Sequence, residues 1–461
     1  MEPLKTAKNQ ASSPGGPASH RKMLIVLGAL ILLVGALTIQ HFLLQGRADR
    51  QLLRLQSQGH PTDLVAVNES YAIPSGVTNA ADIYLSAFNS FANDDRTNTN
   101  GPAHHRLASP IDDYPENVLQ FVRGWVSTNS ATLAKLHEGA RHPHCRYPQD
   151  YTQGFNTLLP HLGQLKNTVR LLTWRAYLDA EKGDSEQMLR HLQTALRVSD
   201  SLVGEPDVIA QLVRAAGHAI VANRLEEILN RHQLSDAQLQ RLFRILEGRE
   251  SLAPLRAAFA GELCMGLDFF EDPNAFGGLN FNGVSTGGDR LKSMAAISGL
   301  KAAGFWERDR AFYIQLHEGY LNALSLSFPA ALSAGKEVNA RLDGSRKGIR
   351  NLVTQSIAPA LSKIIEKEAL RVTRLRLILV GLAVERYRLA HDARRPDSLD
   401  ELVPDFLPSI LQDPFDGADL RYRKLDTGYV IWAVGRDLTD DRGDLTPEGK
   451  HPKDPRFRML R

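Results

Sequence analysis

From Glu116 to about Arg350 apolar residues recur at spacings of three and four, the repeat of one buried helical face, and the pattern returns from Ile357 to His391. Leu119, Val122 and Val126 mark the first stripe, and Asn79 to Ala92 forms a shorter helix before it. Further helices are expected over Pro206–Asn230, from a cap at Ser235 to Glu247, over Leu291–Ala302 and Trp306–Leu324, and from Pro329. A Gly- and Asn-rich stretch, Glu271 to Arg290, reads as a long surface loop. In the longest pattern, Leu361, Ile365, Val372, Leu375, Leu379 and Leu382 share one stripe, so a core-facing helix is expected.

The clearest pair covers Thr168 to Asp200. Leu171, Leu172, Ala176 and Ala180 make one apolar side, Gly183-Asp184 interrupts it, and Met188, Leu189, Leu192, Ala195 and Leu196 resume it. Small residues allow close approach and the Gly-Asp break allows a tight turn, so the pair resembles a tetratricopeptide hairpin. No recurrence at about 34 residues accompanies it, which predicts one hairpin inside an irregular α-domain.

Met23 to Leu44 is uncharged and long enough, at about 1.5 Å per residue, to match the roughly 30 Å core of a bilayer. It predicts a transmembrane anchor, and a cleavable secretory signal is the alternative. Basic residues flank it on both sides, with Arg21 and Lys22 before and Arg47, Arg50 and Arg54 after. The expected layout has a disordered cytoplasmic tail over 1–22, the anchor over 23–44 and a stalk with an irregular wrapping segment over 45–115. An α-helical domain follows over 116–350, then a long helix with an α+β module over 351–461.

Composition narrows the function classes. The chain is 43% hydrophobic and 23% charged with a net charge of +3, which suits a folded core and carries no basic stripe for nucleic acid. Two cysteines, Cys145 and Cys264, are too few for a disulfide framework; one bridge and two free thiols both stay open.

After His391 the period changes. A capped turn at Pro396-Asp397-Ser398-Leu399-Asp400-Glu401-Leu402 leads to the turn Asp413-Pro414-Phe415-Asp416-Gly417. Leu420 and Tyr422 alternate with Arg421 and Arg423, Asp426-Thr427-Gly428 reverses the chain, and Tyr429 to Val434 returns as a buried strand. This order of parts, from about Ala369 to Asp444, resembles the C-terminal domain of the major pseudopilins of type II secretion systems.

That resemblance implies calcium in the acidic loop, at Asp437, Asp440, Asp441 and Asp444. The family usually has Asp-Gly where this chain has Asp437-Leu438, and its paired glycine is replaced by Gly443-Asp444; a solvated acidic turn is the alternative. The anchor lies some three hundred residues upstream of the module and no prepilin peptidase site precedes it, so the module is expected to serve as an appendage or interaction surface. The whole chain also resembles an uncharacterised family of bacterial membrane-anchored helical proteins, which implies no activity.

Candidate chemistry is sparse. Gly283-Val284-Ser285-Thr286-Gly287 matches a nucleophile elbow, but Leu279 to Asn282 is too short and polar for the buried strand an elbow requires. His137 and His142 approach a zinc-protease spacing, yet a step of five on a helix turns the second imidazole about 140° from the first. His142, His144 and Cys145 form a second metal-like cluster. The expected protein is therefore mainly α, held in a bacterial inner membrane by one span, its bulk extracytoplasmic. It binds or scaffolds an unknown protein partner without catalysis, a serine hydrolase using Ser285 or an accessory part of a secretion or pilus-like assembly being the alternatives.

Overall fold

The computed structural model describes residues 17–92, 110–271, 305–345, 351–358, 361–443 and 454–461. Helices α1 (Pro17–Ser57), α2 (Leu64–Ser70), α3 (Ala80–Asn89), α4 (Glu116–Thr128) and α5 (Ser130–Gly139) precede a hairpin of α6 (His161–Glu181) and α7 (Ser185–Asp200). Then come α8 (Val208–Arg231), α9 (Asp236–Leu246), α10 (Ala253–Glu271), α11 (Phe305–Ala323), α12 (Ala330–Ser345), α13 (Leu352–Ile357) and α14 (Ile364–Ala390).

Local signals set several boundaries. Gly183, with a φ of +76°, turns the hairpin, and the Asp184 carboxylate accepts the Gln187 N–H at 3.1 Å to start α7. Ser235 and Gln238 close a reciprocal capping box on α9. The helix expected from Ile357 to His391 starts later, as α14 from Ile364 to Ala390, and the preceding α13 ends at Ile357. Pro359 stands between them, and proline supplies no N–H for a continuing helix.

One correction concerns the N-terminus. Among the described residues no helix is long and apolar enough to cross a membrane, which overturns the transmembrane span, the bilayer as partner, and the single-pass inner-membrane placement with its membrane-anchored binding role. The run Met23–Leu44 is the middle of a 41-residue helix, not a free-standing segment. The later turns of α1 carry Arg47, Asp49, Arg50 and Arg54, while Ala48 and Leu55 are buried in the core that α11 shares.

Two large apolar cores organise the rest. One gathers α3 to α9 with the later turns of α14, through residues such as Trp174, Leu192, Leu225 and Val380. The other gathers the end of α1 with α10, α11 and α12, through Phe259, Ile314, Tyr320 and Val338. Helix α14 serves both, with Ile364, Ile365 and Ala369 in the second and Leu375 to Tyr387 in the first. At about 2 kcal/mol for each fully buried Leu, Val or Phe side chain, these cores dominate the favourable side of folding.

The C-terminal hairpin is present as β1 (Arg421–Lys424) and β2 (Tyr429–Trp432), antiparallel, with Tyr422 opposite Ile431. Gly428 has a φ of +81°, and a Cβ there would lie 1.7 Å from the Met459 carbonyl oxygen. A third strand, β3 (Arg456–Met459), pairs with β2 and was not anticipated. Helix α8 satisfies its outer edge: Glu226 accepts the Arg458 N–H at 3.0 Å, and Asn230 donates to the Arg458 carbonyl at 2.8 Å and accepts from Leu460 N at 2.7 Å.

His317 of α11 is fully buried, donates Nδ1–H to the Tyr313 carbonyl at 3.1 Å and leaves Nε2 without a partner. Burial, only partly opposed by that hydrogen bond, pushes its pKa from 6.5 down to about 4. The neutral imidazole therefore stabilises the fold fully above pH 6.5, and this contribution is lost as pH falls toward 4. At about 1.4 kcal/mol per pH unit the gap is worth about 3 kcal/mol at pH 4. Glu226 and Glu262, pushed up by burial to about 7 and about 8, run with the opposite sign, so one curve alone does not isolate the group. The difference in urea-unfolding free energy between wild type and His317→Leu should shrink by about 3 kcal/mol between pH 7.5 and pH 4. A constant difference would show that His317 titrates alike in the folded and unfolded protein.

Candidate functional site

An open cleft of about 460 Å³ lies between α3, the segment from His142 to Tyr147 and the C-terminal end of α7. Asn79, the cap of α3, positions the middle segment: its side-chain oxygen accepts from Arg146 N at 2.9 Å and its amide donates to the Arg146 carbonyl at 2.8 Å. Ala80 N donates to the His144 carbonyl at 2.9 Å, so His142, His144 and Cys145 are fixed along one wall. Tyr71 and Tyr84 supply aromatic walls.

Behind Tyr71 sits a buried carboxylate. Glu205 accepts from His161 Nε2 at 2.7 Å, from the Tyr71 hydroxyl at 3.2 Å and from the Tyr151 hydroxyl at 3.4 Å. Tyr71 in turn accepts the Tyr147 N–H at 3.0 Å, and the Tyr147 and Ser201 hydroxyls lie 2.9 Å apart. This web joins the start of α6 and the loop between α7 and α8 to the floor of the cleft. Burial, and then the Glu205 charge, pushes the Cys145 thiol up to about 12, so the group is a thiol at neutral pH.

The opposite wall is ionic. Asp200 ends α7, where a negative charge opposes the helix macrodipole, and it needs cationic partners. It accepts from His218 Nε2 at 2.7 Å and Arg249 Nε at 2.9 Å, and Arg214 lies 4.0 Å away. Burial would raise its pKa, but His218, Arg249 and Arg214 outweigh burial and hold it at about 2. Deeper in, Glu368 accepts from Arg371 at 2.7 and 2.9 Å and from Arg214 at 3.3 Å. Burial pushes the His218 pKa down, against the pull of Asp200; Arg371 lies 3.4 Å from its Nδ1 and donates to the Arg249 carbonyl at 2.7 Å.

Arg197 also lines the cleft, is exposed, and has no carboxylate partner among the described residues. Of the charged side chains that line the cleft, Arg197 and Arg249 thus face one carboxylate, Asp200, leaving a positive surplus on this wall.

The sequence-derived candidates divide. His142, His144 and Cys145 do meet in the cleft, but among the described residues no group of three or more His, Cys, Asp or Glu side chains is arranged to hold a metal. His137 points elsewhere, with Nδ1 2.8 Å from the Thr194 hydroxyl and Nε2 2.9 Å from His191 Nδ1, and α5 ends at Gly139, so His142 does not share its helix. Cys145 and Cys264 are both free thiols. Ser285 and Asp444 lie outside the described residues.

In the acidic loop, Asp437 accepts from Thr439 N at 3.2 Å, and Asp440 accepts from Trp432 Nε1 and Arg442 N, each at 2.8 Å. Leu438 has a φ of +57°. Arg197, Asp200 and Arg249 were not singled out from the sequence. The available signal was Asp200 itself, an acidic residue at the last turn of a strongly periodic helix.

Compared with known protein families, curated proteins and solved structures, the chain matches none.

Proposed function

We propose that this protein binds a small organic anion in the cleft, with the charged group of the ligand against Arg197 and Arg249 and its body between Tyr71 and Tyr84. The observation that supports it is a concave site of ligand size whose one wall carries more guanidinium than carboxylate. Arginine presents a planar fork of donors suited to carboxylate or phosphate oxygens. The adjacent Cys145, held as a thiol by burial, favours binding over covalent chemistry.

Titration calorimetry with a panel of aromatic and aliphatic carboxylates tests this. One or more should bind, and Arg197→Gln should weaken that binding about tenfold, the scale of one charge-assisted hydrogen bond. Arg197 is exposed, so its thermal midpoint should be unchanged. No heat from any member of the panel, or equal affinity in Arg197→Gln, would sink the proposal.

A further inference from the structure

A second concavity of about 450 Å³, separate from the first, opens between α1, α11 and α12. Three guanidiniums line it, each from a different helix: Arg47, Arg308 and Arg341. Among the described residues no Asp or Glu is in its lining, although the chain as a whole carries 55 basic and 52 acidic residues. Other cations on the same helices have carboxylate partners outside the concavity, Arg54 with Glu318 at 3.1 Å and Arg310 with Asp49 at 3.6 Å. Asp309, next to Arg308, is turned away and accepts the Val353 and Thr354 N–H groups at 2.8 and 3.2 Å.

Two further features point to a ligand. The side-chain carbonyl of Asn351, in the lining, is buried with no hydrogen-bond partner. Native proteins rarely leave such an atom unsatisfied, and an amide turned by half a rotation presents two N–H donors instead. Phe312 and Leu44 add an apolar surface beside the cations.

We infer that this concavity is a phosphate-binding site, for a phosphomonoester carrying an apolar body. Charge selects phosphate over carboxylate: a phosphomonoester carries about −1.5 to −2 at neutral pH, which three guanidiniums match, whereas a single carboxylate leaves most of the field uncompensated. Three acceptor oxygens also suit three forks converging from separate helices. The apolar group rests on Phe312 and Leu44, so an ester binds more tightly than the free ion.

Titration calorimetry on the full chain, with inorganic phosphate, phenyl phosphate and benzoate as probes, tests the assignment. Phenyl phosphate should bind several-fold more tightly than inorganic phosphate, and benzoate should bind there at least tenfold more weakly. The double variant Arg308→Gln, Arg341→Gln should weaken phenyl phosphate about a hundredfold, about tenfold for each guanidinium. Both side chains are exposed, and an unchanged thermal midpoint verifies that the variant is folded. Arg123→Gln, on the exposed face of α4 and outside both concavities, should leave phenyl phosphate binding intact. No heat at millimolar phenyl phosphate, or unchanged affinity in the folded double variant, would overturn it.

Discussion

Replacing Glu368 by Leu should lower the free energy of unfolding by about 3–5 kcal/mol. The carboxylate is 3% exposed and is the shared acceptor of two guanidiniums that are themselves almost fully buried, Arg214 and Arg371. Burial alone would raise its pKa, but Arg371 and Arg214 together outweigh burial and hold it below the ordinary range, so it is ionised at neutral pH. Removing it strands two cations in a dry interior, with Asp200 at 4.0 Å from Arg214 as the nearest carboxylate. The cost is the desolvation of unpaired charge, not the net worth of a salt bridge. Urea unfolding measures it, and adding Arg371→Met to Glu368→Leu should recover part of the loss. A loss below about 1 kcal/mol would mean that water already reaches this network.

The second large effect is expected at Gly261 of α10. A Cβ on this residue would stand 1.9 Å from the Pro206 carbonyl oxygen and 2.9 Å from its carbon, and both are backbone atoms with little freedom to retreat. Pro206 lies between Glu205, which backs the cleft, and Asp207, whose carboxylate caps α8 by accepting Ala210 N at 2.9 Å. Gly261→Ala should therefore destabilise the protein by about 3 kcal/mol, the upper end for overpacking, and weaken ligand binding in the cleft as the Glu205 loop shifts. Gly124→Ala is the control. Nothing lies within 4 Å of a Cβ there, and alanine in the exposed face of α4 should be neutral or stabilise by up to about 1 kcal/mol. Equal thermal midpoints for the two variants would show that α10 moves aside without cost.

Much of the helical part was legible because its causes are local. The hairpin of α6 and α7 follows from period, small residues and Gly183-Asp184, and the start of α9 follows from Ser235 and Gln238. The strands β1 and β2 were legible for the same reason, since Gly428 and the alternation around it lie within a dozen residues. Strand β3 was not, because Arg456 to Met459 acquires its conformation from pairing with β2 and from Glu226 and Asn230, some 230 residues earlier. Met23–Leu44 was legible as an apolar run, but not as one part of a helix that ends in the core beside α11.

The sequence by itself determined where helices start and stop, which of their faces are apolar, and the reversal at Gly428, because each depends on neighbours a few positions away. Tertiary structure alone decided the cleft and the second concavity. Arg197, Asp200, Arg214, Arg249, Glu368 and Arg371 are scattered over 175 positions, as are Arg47, Arg308 and Arg341 over almost 300. Periodicity records that a side chain is polar. Whether that charge is matched or left over depends on which helices pack together, and helix packing is set by the shape of the apolar cores.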